Sequence, residues 1–215
     1  MPVLSFHSDP KIKAKYMRRI RAHAKADEIV KGAYWEDGKG CAVGCIVETN
    51  AGPHLALAQI LGGQSLEWLA RLVDTLFENL PNGHAKEFPA KFLSAIPVGK
   101  DLEPVKWKFC LFLLSDNYER VKALSLTDSI KNQVLEAIAQ CQKLHTDAIE
   151  SGSLDESAAR SAESAAESAA SAARSAESAA ASAAWSAESA AARSAAWSAA
   201  YIRYADKLVE LLKAA

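Results

Sequence analysis

The chain has 215 residues, half of them hydrophobic by count and a quarter charged, with a formal net charge of −1. That length fits one domain with an appendage or two small domains, and the near-neutral charge gives no general reason to expect nucleic acid or an anionic membrane as partner. No run reaches the roughly 18 apolar residues of a membrane span, and the N-terminus lacks the apolar stretch of a signal peptide. Four cysteines with no leader are expected to be free thiols in a reducing compartment, the cytoplasm.

In chain order, Asp9-Pro10 predicts a helix start, an N-cap followed by proline at the first helical position. Ile12, Tyr16 and Ile20 would form its buried stripe, and Gly32 would stop it after about Lys31. Seven basic residues (Lys11, Lys13, Lys15, Arg18, Arg19, Arg21, Lys25) and no acid lie between Asp9 and Asp27. This block is the strongest electrostatic signal in the chain. A turn-rich segment from Ala33 to Gly40 follows, then a run from Cys41 to Val47 too short for periodicity to separate strand from helix.

Leu66, Leu69, Val73, Leu76 and Leu80 alternate by three and four, which predicts a helix over 65–80 with Glu67, Arg71, Asp74 and Glu78 off the stripe. Pro81-Asn82-Gly83 ends it, and a short helix is expected over Pro89–Ala95. Asp101 would cap a helix burying Val105, Phe109, Phe112 and Leu113. Thr127 or Asp128 would cap another, with Ile130, Val134, Ile138, Cys141, Leu144 or His145, and Ala148 inward. The fold class is all-α: a small helical globular domain over 1–150, bounded by Ser151-Gly152-Ser153, and then one long helix over 154–215.

Residues 157–200 hold 23 Ala, 12 Ser, seven charged residues and two Trp. Alanine is the best helix former and serine costs only a few tenths of a kcal/mol, so nothing here breaks a helix. Serines at 157, 161, 164, 168, 171, 175, 178 and 182 step by four and three, giving an alanine face, a serine edge and a charged edge. Such a face permits close backbone approach, and the expectation is a helical bundle or coiled-coil-like homo-oligomer through 154–215. A step of five from Ser189 to Ser194 breaks the register. Beyond it Trp197, Tyr201, Tyr204, Leu208 and Leu211 form a conventional apolar anchor.

Arginines beside aromatics can hold a planar anion by charge-assisted hydrogen bonds and stacking. The candidate ligand-binding set is therefore Arg18, Arg19, Arg21, His23, Lys25, Tyr34, Trp35 and Lys39, set against the plain alternative of a solvated basic face. Cys41 and Cys45 share a helix face if that run is helical, and His54 would join them as zinc ligands. The plain alternative is small residues in a tight-packed segment. Gly38-Lys39-Gly40 lacks the order of a nucleotide loop, and no hydrolase or metalloprotease motif occurs.

The runs SFHS (5–8), Tyr34-Trp35, GKGCAVGC (38–45), Leu76-Phe77-Glu78 and IPVGKDL (96–102) together resemble an uncharacterised family of small phage- and prophage-encoded proteins, over roughly residues 1–115. The resemblance implies no activity, cofactor or catalytic residue. It implies a bacterial-host cytoplasm and a host-directed role such as counter-defence. The reading that results is a non-enzymatic, oligomeric protein that sequesters a small anionic, nucleotide-like ligand, with a host protein as a further partner and nucleic acid not expected. The alternatives are an interaction module acting through the long helix, and a metal-dependent enzyme.

Overall fold

The computed structural model describes residues 3–123, 128–153, 155–161, 164 and 187–215, and for 187–193 the backbone alone. Among these residues the fold is all-α, with strand-like pairing limited to isolated bridges between Leu4 and Asp101, Ile29 and Gly40, and Glu36 and Lys39. The helices are α1 (Pro10–Lys25), α2 (Ala42–Val47), α3 (Pro53–Leu61), α4 (Glu67–Asn79), α5 (Asn82–Ala95), α6 (Glu103–Ala123), α7 (Asp128–Ser151) and α8 (Ala187–Lys213). Contacts gather them into two compact units, Met1–Val105 with Ser194–Ala215, and Lys106–Arg193. The compositional break at Ser151–Ser153 coincides with the end of α7, where Gly152 takes φ +73°. The unit boundary falls inside α6.

In the first unit α1 begins as its sequence predicts: the Asp9 carboxylate accepts from the Lys11 N–H, and Pro10 fills the first helical position. It ends at Lys25, six residues before the expected stop. Asp27 takes a left-handed φ of +57°, and the chain turns extended so that Gly40 donates to the Glu28 carbonyl and Val30 to the Gly40 carbonyl. The buried face is also rotated. Met17, Ile20 and His23 are buried, while Ile12 and Tyr16 are half-buried.

The 41–47 run is helical. Cys41 is the N-cap of α2, its sulfur accepting from the Gly44 N–H at 3.4 Å, and residues 41–46 are all buried. The Tyr34 carbonyl sits where a Cβ on Gly40 or Gly44 would have to be, so both positions require glycine for close approach. On α4 the stripe Leu66, Leu69, Val73, Leu76 and Leu80 is buried throughout. Helix α5 starts at Asn82, immediately after Pro81, and carries Pro89 inside it. An internal proline removes one hydrogen bond and crowds the preceding turn. Burial of Ala85, Phe88, Pro89, Phe92 and Leu93 on one face offsets that cost, which local propensity alone does not foresee.

Three basic side chains close helix C-termini, where carbonyls lack internal partners. Lys13 donates to the Ser94 and Ile96 carbonyls at 2.8 and 2.5 Å, Arg19 to Ile46 at 2.7 Å, and Lys31 to Glu78 at 3.0 Å and to Leu80. At the N-terminal edge Phe6, His7 and Ser8 are left-handed, with φ of 52°, 52° and 60°. Each such residue costs about 1 kcal/mol or more and persists only where its surroundings fix it. Here Phe6 is fully buried, and Ser5 exchanges backbone bonds with Gly99 and Lys100 while its hydroxyl donates to the Pro97 carbonyl. The SFHS and IPVGKDL runs thus hold each other.

The last stretch of α8 packs in this same unit. Ala205, Leu208 and Leu212 are buried, Ile202 and Ala205 share a shallow groove with Leu80 and Phe88, and the Trp197 indole donates to Asn79 at 3.4 Å. The anchor is turned from its predicted stripe. Leu212 is buried while Leu211 is half-buried, and Trp197 is 57 % exposed in a ladder with Tyr201 and Tyr204, centroids 5.1 and 5.8 Å apart.

In the second unit Ala137 and Ala148 are the buried positions of α7, while the larger residues of its predicted stripe are half-buried. Trp107 lies 5.8 Å from His145, and Gln142 donates to the Ser115 hydroxyl. On α6 Phe109 is buried, and Phe112 and Leu113 are half-buried. Residues 156–161 are helical. The cap expected at Thr127 and most of the serine and charged edges lie outside the described residues. No helix among the described residues is long and apolar enough to cross a membrane.

Replacing Gly44 with alanine should lower stability in urea denaturation by about 3 kcal/mol or more, since backbone must move. Gly83→Ala, inside α5 where an added Cβ meets nothing, should instead be neutral or stabilising by up to about 1 kcal/mol.

Candidate functional site

The site grows out of the loop that the two glycines permit. Gly40 and Gly44 admit the Tyr34 backbone, and from there the Tyr34 side chain reaches Asp74 while Trp35 meets His23. Asn50 fixes the next residue, accepting from the Trp35 N–H at 2.9 Å and donating to its carbonyl at 2.5 Å. Two polar clusters result, one at Asp74 and one at His23.

At Asp74 three groups converge. The Tyr34 hydroxyl and the His54 Nε2 each donate to Asp74 Oδ2, at 3.1 and 3.0 Å, and the Cys41 thiol donates to Oδ1 at 3.5 Å. The Tyr34 and His54 rings meet edge-on at 5.4 Å. One turn further along α4, both Glu78 oxygens face the Gly32 N–H at 3.2–3.3 Å. Gly32, Ala33, Tyr34, Cys41, Asp74 and Glu78 line a cavity of about 280 Å³. Donor atoms of Cys41, Asp74 and Glu78 all lie within 4.8 Å of one another. Burial first, and the Asp74 charge second, push the Tyr34 hydroxyl above its ordinary range.

At His23 both ring nitrogens face carboxylates, Glu28 Oε2 at 2.6 Å from Nδ1 and Glu48 Oε1 at 3.1 Å from Nε2. Arg19 pairs with Glu48 Oε2 at 3.0 Å and lies over the Tyr16 ring. Trp35 meets His23 edge-on at 5.2 Å. Of the eight residues proposed from sequence to hold an anion, Arg19, His23 and Trp35 are therefore brought together, with Glu28 and Glu48 among them. Tyr34 belongs to the other cluster. Arg18, Arg21, Lys25 and Lys39 are exposed.

The three sequence candidates for a metal are likewise divided. Cys41 and His54 both reach Asp74, whereas the Cys45 thiol donates to the Gly40 and Glu28 carbonyls. Asp74 and Glu78, which complete the donor set, were visible only as polar positions four apart on α4, a spacing that places both carboxylates on one helix face.

The geometry does not prepare a nucleophile. A thiol–imidazole pair needs contact between sulfur and ring nitrogen, and here Cys41 and His54 approach the same carboxylate instead. Burial pushes the Cys41 and Cys45 thiols up to about 12, with nearby carboxylates adding to the shift. Cys41, Asp74 and Glu78 can serve as hydrogen-bonding groups or as metal ligands. The chain matches no protein-family model, no curated protein and no solved structure.

All four cysteines are free, and Cys41 and Cys45 should resist iodoacetamide at pH 8 in the folded protein but react in urea. Their raised thiol pKa favours the folded state while the thiols stay protonated. That contribution should be complete below about pH 9 and lost as pH rises toward about 12. Chemical denaturation across this range should show the decline, and Cys41→Ser with Cys45→Ser should flatten it.

Proposed function

We propose that this chain is a non-enzymatic binding protein, with a small-ligand cleft in the first unit and an alanine/serine segment through which copies associate. The observation that carries the reading is the cavity at Asp74, where Cys41, Asp74 and Glu78 converge and none is activated for attack. Its two carboxylates favour a cation, or a ligand rich in N–H donors, over the anionic, nucleotide-like ligand invited by the basic block. Lys13, Arg19 and Lys31 are engaged at helix ends, and Arg18, Arg21 and Lys25 are exposed. Calorimetry against alkylammonium and guanidinium compounds, divalent metal ions and a nucleotide panel tests it. Cation binding weakened at least about tenfold by Asp74→Asn is expected, equivalent to about 1.4 kcal/mol. Nucleotide binding abolished by Arg18→Ala with Arg21→Ala would overturn it.

A second reading, an interaction module acting through the C-terminal segment, is favoured by the exposed Trp197 beside Tyr201 and Tyr204. Glutamates at Ala166, Ala173 and Ala180 keep helix propensity but charge the alanine face at heptad spacing. Sedimentation velocity should show the wild type as an oligomer and this triple variant as a monomer, with ligand binding retained. Unchanged association would remove the tail from the account.

A further inference from the structure

We propose that the Asp74 cleft is a divalent transition-metal site of the zinc class, with Cys41 Sγ, Asp74 Oδ1 and a Glu78 carboxylate oxygen as ligands. This rests on the reading of the cleft as a cation site and names the cation. The three donors come from two rigid elements: Cys41 from the N-cap of α2, Asp74 and Glu78 from successive turns of α4. Their ligand atoms lie within 4.8 Å of one another. Tetrahedral zinc, with bonds of about 2.0–2.3 Å, asks for ligand atoms roughly 3.3–3.8 Å apart. Closing that gap takes about an ångström of movement between the ligand atoms.

The outer shell is already assembled. Tyr34 and His54 hold Asp74 Oδ2, which turns Oδ1 toward the sulfur, and the Gly32 N–H holds Glu78. Hydrogen bonds of this kind orient ligating carboxylates and tune the metal. The adjoining cavity of about 280 Å³ leaves space for a water or small molecule in the fourth position. Sulfur among the ligands selects against magnesium and calcium, which take oxygen, and for zinc or cobalt.

Binding requires the Cys41 thiol to lose its proton. The sulfur–metal bond forms as the S–H bond breaks, and the proton passes to solvent. His54 stays on Asp74 and orients it.

The test uses the full chain, stripped with a chelator and titrated with Co²⁺ at pH 7.5, reading the thiolate-to-cobalt charge-transfer band in the near ultraviolet. One cobalt per chain with that band, displaced by Zn²⁺, is the expected result. Cys41→Ser keeps an N-cap residue, so the helix start is preserved. It should abolish the band and weaken binding about a hundredfold, while Glu78→Gln keeps the band with binding weakened about tenfold. Cys45→Ser should behave as the wild type. A band that survives Cys41→Ser, or disappears with Cys45→Ser, overturns the assignment. Cobalt bound without the band but lost in Asp74→Asn overturns the thiolate site and leaves the cation cleft standing. No binding of Co²⁺, Zn²⁺ or alkylammonium overturns both.

Discussion

The seating of the Tyr34 carbonyl against two glycines governs the rest of the first unit. Gly40 and Gly44 are spaced so that one backbone segment can lie directly on the start of α2, and any side chain at either place would fill the space it occupies. The contact fixes the loop from Gly32 to Gly40 beside Cys41 and Cys45, both of them buried. It also sends Tyr34 to Asp74 and leaves Trp35 beside His23. A cleft with polar groups from α2, α3, α4 and a loop needs such a fixed point, because loops without one have too many alternatives to hold side chains in register.

The second organising fact is where the positive charge goes. Helix C-termini leave carbonyls that need donors, and near a macrodipole's negative end a cation suits best. Lys13, Arg19 and Lys31 reach across the unit to three different helix ends, separated from their targets by 81, 27 and 47 residues in sequence. Such long-range caps fasten helices to one another as well as closing them. Burial lowers the Lys13 pKa, the expected cost of drawing an ammonium toward the interior.

Much of this architecture is legible in sequence, and what is not has physical causes. The Asp9-Pro10 start and the Leu66–Leu80 stripe are local signals: a cap chemistry and a period. The early end of α1 is set by a backbone pairing between Ile29 and Gly40, and the helix through Pro89 by burial of its neighbours. Neither is encoded within its own window. The basic block is legible as charge, but the helix ends that Lys13 and Arg19 reach lie 81 and 27 residues away and are not legible beside it. Residue type and spacing group Cys41, Cys45 and His54, and in the structure Cys41 and His54 share Asp74. One helical turn does link Cys41 and Cys45, yet their thiols take different partners, Asp74 for Cys41 and the Gly40 carbonyl for Cys45. Asp74 and Glu78 read in sequence as polar positions off the stripe, because their partners, Tyr34 and His54 for Asp74 and the Gly32 N–H for Glu78, come from distant segments.

The return of α8 to the first unit has a kinetic consequence. Its final turns pack with residues that precede Lys106, so that unit is made from two stretches of chain separated by an excursion of roughly 90 residues. Joining those ends while the excursion is still unfolded costs about 4 kcal/mol of chain entropy beyond a constant. Contacts of such wide sequence separation form late and slow the overall rate. The places of Leu208 and Leu212 in the first unit therefore stay unfilled until α8 has been made.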